Sequence, residues 1–201
     1  GHTKIIKNVV SAARESGYLS LVLMFENSPQ SFISKKAIMP VNTLEKRLKI
    51  IERLGIDAVV ILKFDESIMT MSHEEFFEEL LVKKLDIKYL SVGFNYRFGK
   101  QGKGNTEYLK KVCLDKKIYL QITDDVRMLG DTVSSTRIRE LVIDGRVEEA
   151  AELLGRKFSV EGVVVKGNQL GDKLFGFPTA NMKYPKDIIR LPYGVYCVKA
   201  F

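Results

Sequence analysis

Strand-like and helix-like segments alternate without a break from residue 1 to 155. A chain with that rhythm pairs its strands in parallel, because each crossover helix returns it to the same end of the sheet. Residues 2–16 put Ile5, Ile6, Val9, Val10 and Ala13 on one helical face, and Gly17 supplies the stop. Residues 18–25 are a mostly apolar run suited to a strand covered on both faces. Asn42 with Glu45, and Ser72 with Glu75, have capping-box spacing. They open helices carrying Leu44, Leu48, Ile51 and Leu54 in one case, and Phe76, Phe77, Leu80 and Leu81 in the other. Strands are expected at 57–62, 88–93 and 118–122, and helices from about 105, from 134 or 135, and over 147–154. The expected fold class is α/β, a parallel sheet with helices on both faces and its ligand beyond the carboxyl ends of the strands.

After Gly155 the texture changes. Residues 158–165 alternate and are β-rich, a loop carries Gly167, Gly171, Gly176 and Pro178, and residues 193–201 have strand character. This places one domain at 1–155 and the start of an antiparallel β domain at 156–201. About 45 residues bury too little surface to stand as a barrel alone, so this segment belongs to a longer unit or leans on the first domain. The chain opens on Gly1-His2 without methionine and closes on Phe201 with no turn residue, and both ends are expected to be cut from a longer chain.

Lys and Arg number 32 against 25 Asp and Glu, a net charge of +7 that suits an anionic partner. No run of five basic residues occurs, and basic and acidic residues interleave as in Glu45-Lys46-Arg47. Most of the charge therefore belongs to solvated helix faces, and no nucleic-acid partner is expected. No signal peptide is expected, and no apolar run is long enough to span a bilayer, so no membrane partner is expected either. Cys113 and Cys197 lack metal-ligand spacing and suit reduced thiols in a cytoplasmic protein. The oligomeric state is not legible.

Three stretches carry polar chemistry. Gly130-Asp-Thr-Val-Ser134-Ser135-Thr136-Arg137-Ile138-Arg139 is a loop that becomes a helix, with Ser134 or Ser135 as cap and Ile138, Leu141 and Val142 as the apolar stripe. Free N–H groups, hydroxyls and two guanidinium groups gather at the positive helix end and suit a polyphosphate. The same residues also describe an ordinary capped helix with surface arginines. The glycine-rich connection over 93–104 joins a strand to a helix, where such folds bind ligands, but lacks Walker spacing. His2 heads the first helix and is readable as a surface residue or as a donor.

Taken together, these residues resemble the prokaryotic bifunctional riboflavin kinase/FAD synthetase family along nearly the whole chain. The resemblance rests on several stretches: Gly1-His2 as the tail of a His-x-Gly-His signature, Val92-Gly93-Phe94-Asn95-Tyr96-Arg97-Phe98-Gly99-Lys100, Ser134-Ser135-Thr136-Arg137-Ile138-Arg139, Leu154-Gly155-Arg156, and Gly176-Phe177-Pro178-Thr179-Ala180-Asn181. It implies a Rossmann-like nucleotidyltransferase domain followed by the beginning of a riboflavin kinase β-barrel. The implied reactions are phosphorylation of riboflavin to FMN by ATP and adenylylation of FMN to FAD with release of pyrophosphate. On this resemblance the catalytic residues are His2, Ser135, Thr136 and Arg137, with Ser134 beside them on the β- and γ-phosphates. Asn95, Arg97, Phe98 and Gly99 serve the flavin and adenine nucleotide site. Gly167, Gly171, Gly176 and Pro178 close over the kinase phosphates, and Thr179 and Asn181 hold Mg2+.

The chain also departs from the family. The first histidine of the family's pair would precede Gly1, and Glu26-Asn27-Ser28-Pro29 stands where the family usually carries an acidic residue and His-Pro. The remaining kinase strands and their catalytic glutamate would follow Phe201, so the sequence is expected to be part of a longer active protein. Two other readings keep the same fold: an adenylyltransferase with another acceptor, and a non-catalytic flavin- or nucleotide-binding module.

Overall fold

Helix α1 (His2–Ser16) ends at Gly17, whose left-handed backbone returns an N–H to the Ala13 carbonyl. A computed structural model describes residues 1–167 and 179–201 of the chain. Strand β1 is Leu21–Phe25, shorter than the sequence suggests. Its parallel partner β2 (Ala58–Leu62) begins opposite Leu21, so Tyr18 and Leu19 have no ladder to join and stay exposed. Ser20, the residue just before β1, is fully buried, and both its N–H and its hydroxyl donate to the Asp57 carboxylate, at 2.8 and 2.6 Å. These two bonds hold the Asp57 pKa below the ordinary carboxylate range.

A short helix α2 (Pro29–Ser34) and helix α3 (Leu44–Arg53) make the crossover from β1 to β2. Because α3 starts at Leu44, Thr43 rather than Asn42 holds the cap position, and the Asn42 side chain accepts from Arg156 Nη2 at 3.2 Å. After α4 (Glu66–Thr70), the capping box at Ser72 is complete: the Ser72 hydroxyl accepts from the Glu75 N–H, and the Glu75 carboxylate accepts from the Ser72 N–H. It opens α5 (His73–Glu75), which continues as a π-helical stretch over Phe76–Lys84. In this wider turn a residue five positions on lies over its predecessor, which brings Leu81 onto the same buried side as Phe76 and Phe77.

Strand β3 (Tyr89–Gly93) pairs in parallel with β4 (Tyr119–Thr123) through the crossover helix α6 (Thr106–Asp115), which Asn105 caps by accepting from the Tyr108 N–H. The parallel pairing expected from sequence is therefore present as two separate two-stranded ladders. Phe77 and Leu109 have no exposed surface and form the centre of a core with Phe76, Leu81, Val92, Phe98, Cys113 and Ile118. A small hairpin, β5 (Arg127–Met128) with β6 (Asp131–Thr132), was not legible in the sequence. The Asp125 carboxylate accepts from both Arg127 Nε and the Thr132 hydroxyl and ties the hairpin together.

Contacts divide the chain into two compact units, Gly1–Ile38 with Leu44–Val133, and Met39–Thr43 with Ser134–Phe201. The division falls before the next helix, whereas the texture of the sequence changes at Gly155. In the second unit α7 (Ser135–Ile143) packs on α8 (Val147–Leu154), with Val142 and Ala150 fully buried. Strands β7 (Val163–Val165) and β8 (Asn181–Lys183) form an antiparallel ribbon, so only part of the expected 158–165 strand exists. The strand expected at 193–201 is not formed. No described residue pairs with it, and Tyr193, Val195 and Phe201 lie open to solvent.

Candidate functional site

In the first unit, the glycine-rich connection leaves the carboxyl end of β3. After β3, the Phe94 N–H donates to the Thr123 carbonyl and the Tyr96 N–H to the Gly93 carbonyl, turning the chain into the glycine-rich connection. This connection is pinned at its far end, where Phe98 and Gly104 exchange backbone hydrogen bonds and the Lys100 N–H donates to the Met71 carbonyl at 2.7 Å. Gly99 has φ 70° and ψ −179°, and a Cβ there would lie 2.5 Å from His73 Cα. Only glycine fits that backbone against the start of α5.

Of the expected residues in this connection, Asn95 and Arg97 are exposed. Phe98 is only 7% exposed, and its ring packs among Phe76, Tyr96, His73 and Tyr108. The Tyr96 phenol beside it is desolvated and pushed up to about 12. Thr123, at the end of β4, is buried and its hydroxyl accepts from Asn8 of α1 at 3.3 Å. His2 occupies the first position of α1, exposed as a residue but with its ring crowded by protein atoms. Its pKa is lowered, first by desolvation and then by the amino group of Gly1. A Cβ on Gly1 would lie 3.9 Å from the Val133 carbonyl, and Val133 is the last residue of this unit.

Ser134 follows in the chain and is the cap of α7: its hydroxyl accepts from the Arg137 N–H at 3.2 Å. The open choice between Ser134 and Ser135 is thereby resolved. Ser135 and Thr136 are exposed, and their N–H groups, in the first turn, have no helical acceptor. The first turn contains no acidic residue. Arg139 Nη1 donates to the Thr136 hydroxyl at 3.4 Å, while its Nε is buried without an acceptor among the described residues. The sequence shows Arg139 inside the motif, and its spacing of three from Thr136 was the available signal for this pairing. An orphaned guanidinium N–H, free amides and hydroxyls at one helix start form a donor set for phosphate oxygens.

In the ribbon, Asn181 pairs with Val165 and is exposed, as is Thr179. The Asn181 amide lies so close over Gly167 that any Cβ at that position would overlap it. Gly171, Gly176 and Pro178 lie outside the described residues. Among the described residues no cluster of His, Cys, Asp and Glu could hold a metal ion. Thr179 and Asn181 offer neutral hard oxygens, a set that fits Mg2+ arriving with most of its charge already balanced by phosphate.

Two small parallel βαβ pairs, with a capped helix rich in donors further along the chain, define a mixed α/β protein as the class, consistent with a nucleotidyltransferase-type domain. Residues 1–137 match the FAD synthetase family model, and residues 154–201 match the riboflavin kinase family model. The chain belongs to the FAD synthetase family. It is 34% identical over 201 residues to the bifunctional riboflavin kinase/FMN adenylyltransferase of Buchnera aphidicola subsp. Schizaphis graminum, covering 99% of this chain and 64% of that protein. It is 32% identical to the protein of the same name in Listeria monocytogenes and 30% identical to that of Escherichia coli K12, with 63% of each covered. The chain thus spans somewhat less than two thirds of these relatives. The crystal structure of a macrolide-efflux protein from Streptococcus pneumoniae superposes with a TM-score of 0.83 at 30% identity, covering 97% of this chain and 63% of that one. Among the described residues no helix is long and apolar enough to cross a membrane.

Proposed function

We propose that the protein makes FAD, by transferring AMP from ATP to FMN with release of pyrophosphate, and that the full-length protein also phosphorylates riboflavin to FMN with ATP. The observation that carries this reading is the FAD synthetase match over 1–137, which runs through the Ser134-capped start of α7 and its unfilled donors. Residues 1–155 are then the Rossmann-like adenylyltransferase domain and 156–201 the beginning of the riboflavin kinase barrel, in a cytoplasmic enzyme. A phosphate oxygen of FMN attacks the α-phosphorus of ATP, and the bond to the β-phosphate oxygen breaks. Charge accumulates on the departing pyrophosphate, so the protein has to position and stabilise and needs no nucleophile of its own.

Ser134, Ser135, Thr136 and Arg137 hold the β- and γ-phosphates. His2 donates a hydrogen bond to the triphosphate; its lowered pKa favours the neutral ring, which still carries one N–H. Asn95 and Arg97 face the nucleotides from the glycine-rich connection, with Gly99 setting its path and Phe98 anchoring it. In the kinase half, Thr179 and Asn181 hold Mg2+, with Gly167, Gly171, Gly176 and Pro178 shaping the phosphate loop. Bound Mg2+ would neutralise phosphate charge during transfer.

The test incubates the full-length protein with ATP, Mg2+ and either FMN or riboflavin. FAD with stoichiometric pyrophosphate is the expected product from FMN, and FMN followed by FAD from riboflavin. An adenylated product of another acceptor, or binding without turnover, overturns the reading.

A further inference from the structure

The carboxyl end of β1 holds a guanidinium to which the reaction above assigns no task. Arg47 lies on α3, and its Nη2 donates to the Glu26 carbonyl, the first residue beyond β1, at 3.1 Å. Its Nε is buried and meets no acceptor among the described residues. The ion pairs among the described residues do not include Arg47. Burial lowers its pKa from the ordinary arginine value, and it remains a cation at neutral pH.

The surroundings are built rather than loose. The Asn27 side chain donates to the Phe64 carbonyl at 3.1 Å and accepts from the Phe64 N–H at 3.0 Å, clasping the loops that leave β1 and β2. Phe64 in turn meets Phe25 and Phe32 edge to face, with centroids 5.2 and 5.6 Å apart. A buried donor on a charged group is costly to leave unmet. A planar guanidinium whose Nη2 is tied to the backbone and whose Nε–H is unmet has a donor left to give to an oxygen of a phosphate group.

We propose that Arg47 is a binding residue that takes a phosphate oxygen of a nucleotide substrate at the carboxyl end of β1. The inference rests on the FAD synthetase reading for the identity of the nucleotides. The phosphate belongs either to FMN or to ATP, and the two are separable by experiment. In the full-length protein, Arg47→Gln and Arg47→Lys are compared with wild type by calorimetric binding of FMN and of a non-hydrolysable ATP analogue, and by KM for each nucleotide.

Arg47→Gln is expected to weaken one of the two nucleotides by about 10–100-fold, the size of one charge-assisted hydrogen bond. Arg47→Lys, which keeps the charge and loses the fork, is expected to recover part of that loss. A loss confined to FMN assigns the acceptor phosphate, and one confined to ATP assigns the triphosphate. Both constants within twofold of wild type overturn the proposal, as does equal weakening of both together with a lower unfolding midpoint, which is the mark of a structural tie to Glu26 alone. A wild-type protein that binds both nucleotides yet forms no FAD removes the catalytic reading while leaving the Arg47 comparison intact.

Discussion

Ser134 shows how one hydroxyl sets the chemistry of a helix start. By accepting the Arg137 N–H it places the side chains of Ser135, Thr136 and Arg137 within the first turn, where the partial positive charge of the helix is greatest. The spacing of polar residues made this legible in sequence, although not which serine caps, because either could accept from a first-turn amide. The orphaned Nε atoms of Arg47 and Arg139 were not legible at all, since a guanidinium loses its water only when other elements close around it. Arg137→Ala is expected to lower kcat/KM for FAD formation by about 100-fold, the cost of one preorganised donor on a charged transition state. The unfolding midpoint should stay near wild type. Turnover within twofold of wild type would take Arg137 out of the phosphate site.

Among elements, the capping box at Ser72 and the crossover helices α3 and α6 sit where local patterns put them, because caps and apolar periodicity act within a few residues. The π-helical turn over Phe76–Lys84 and the shortening of β1 depend on partners elsewhere, the core in one case and the register with β2 in the other. The glycine-rich connection combines both: its composition is visible in sequence, and its path is set by His73 and Met71. Gly99→Ala is expected to destabilise the protein by about 1–3 kcal/mol in denaturant unfolding, because a Cβ must move the start of α5 or the turn itself. FAD formation should fall with it. A variant of unchanged stability and activity would show that the close approach to His73 is not required.

For the molecule as a whole, the two halves are expected to separate by function. In the full-length protein, Asn181→Ala should reduce FMN formation from riboflavin at least about 10-fold, while FAD formation from supplied FMN stays within twofold. Equal loss of both activities would argue against separate sites.

Alkaline pH probes the core. Desolvation pushes the Cys113 thiol from 9.0 up to about 11, and the Tyr96 phenol from 10.0 up to about 12. The folded state thus holds protons that the unfolded chain gives up first, so their contribution is complete below pH 9 and is lost as pH rises through these values. Unfolding free energy is expected to fall over that range. Cys113→Ala should flatten the lower part of the fall and Tyr96→Phe the upper part, and identical profiles would refute the assignment. The alternation of elements, the capping box at Ser72, the donor-rich helix start and the family were legible in the sequence alone, because each depends on residue type at short spacing. Tertiary structure alone decided the split into two parallel pairs, the irregular course of 193–201, the burial of Phe98 and the unmet donor of Arg47. These depend on which surfaces meet, and ladder partners and lost water are supplied by residues far away in the chain.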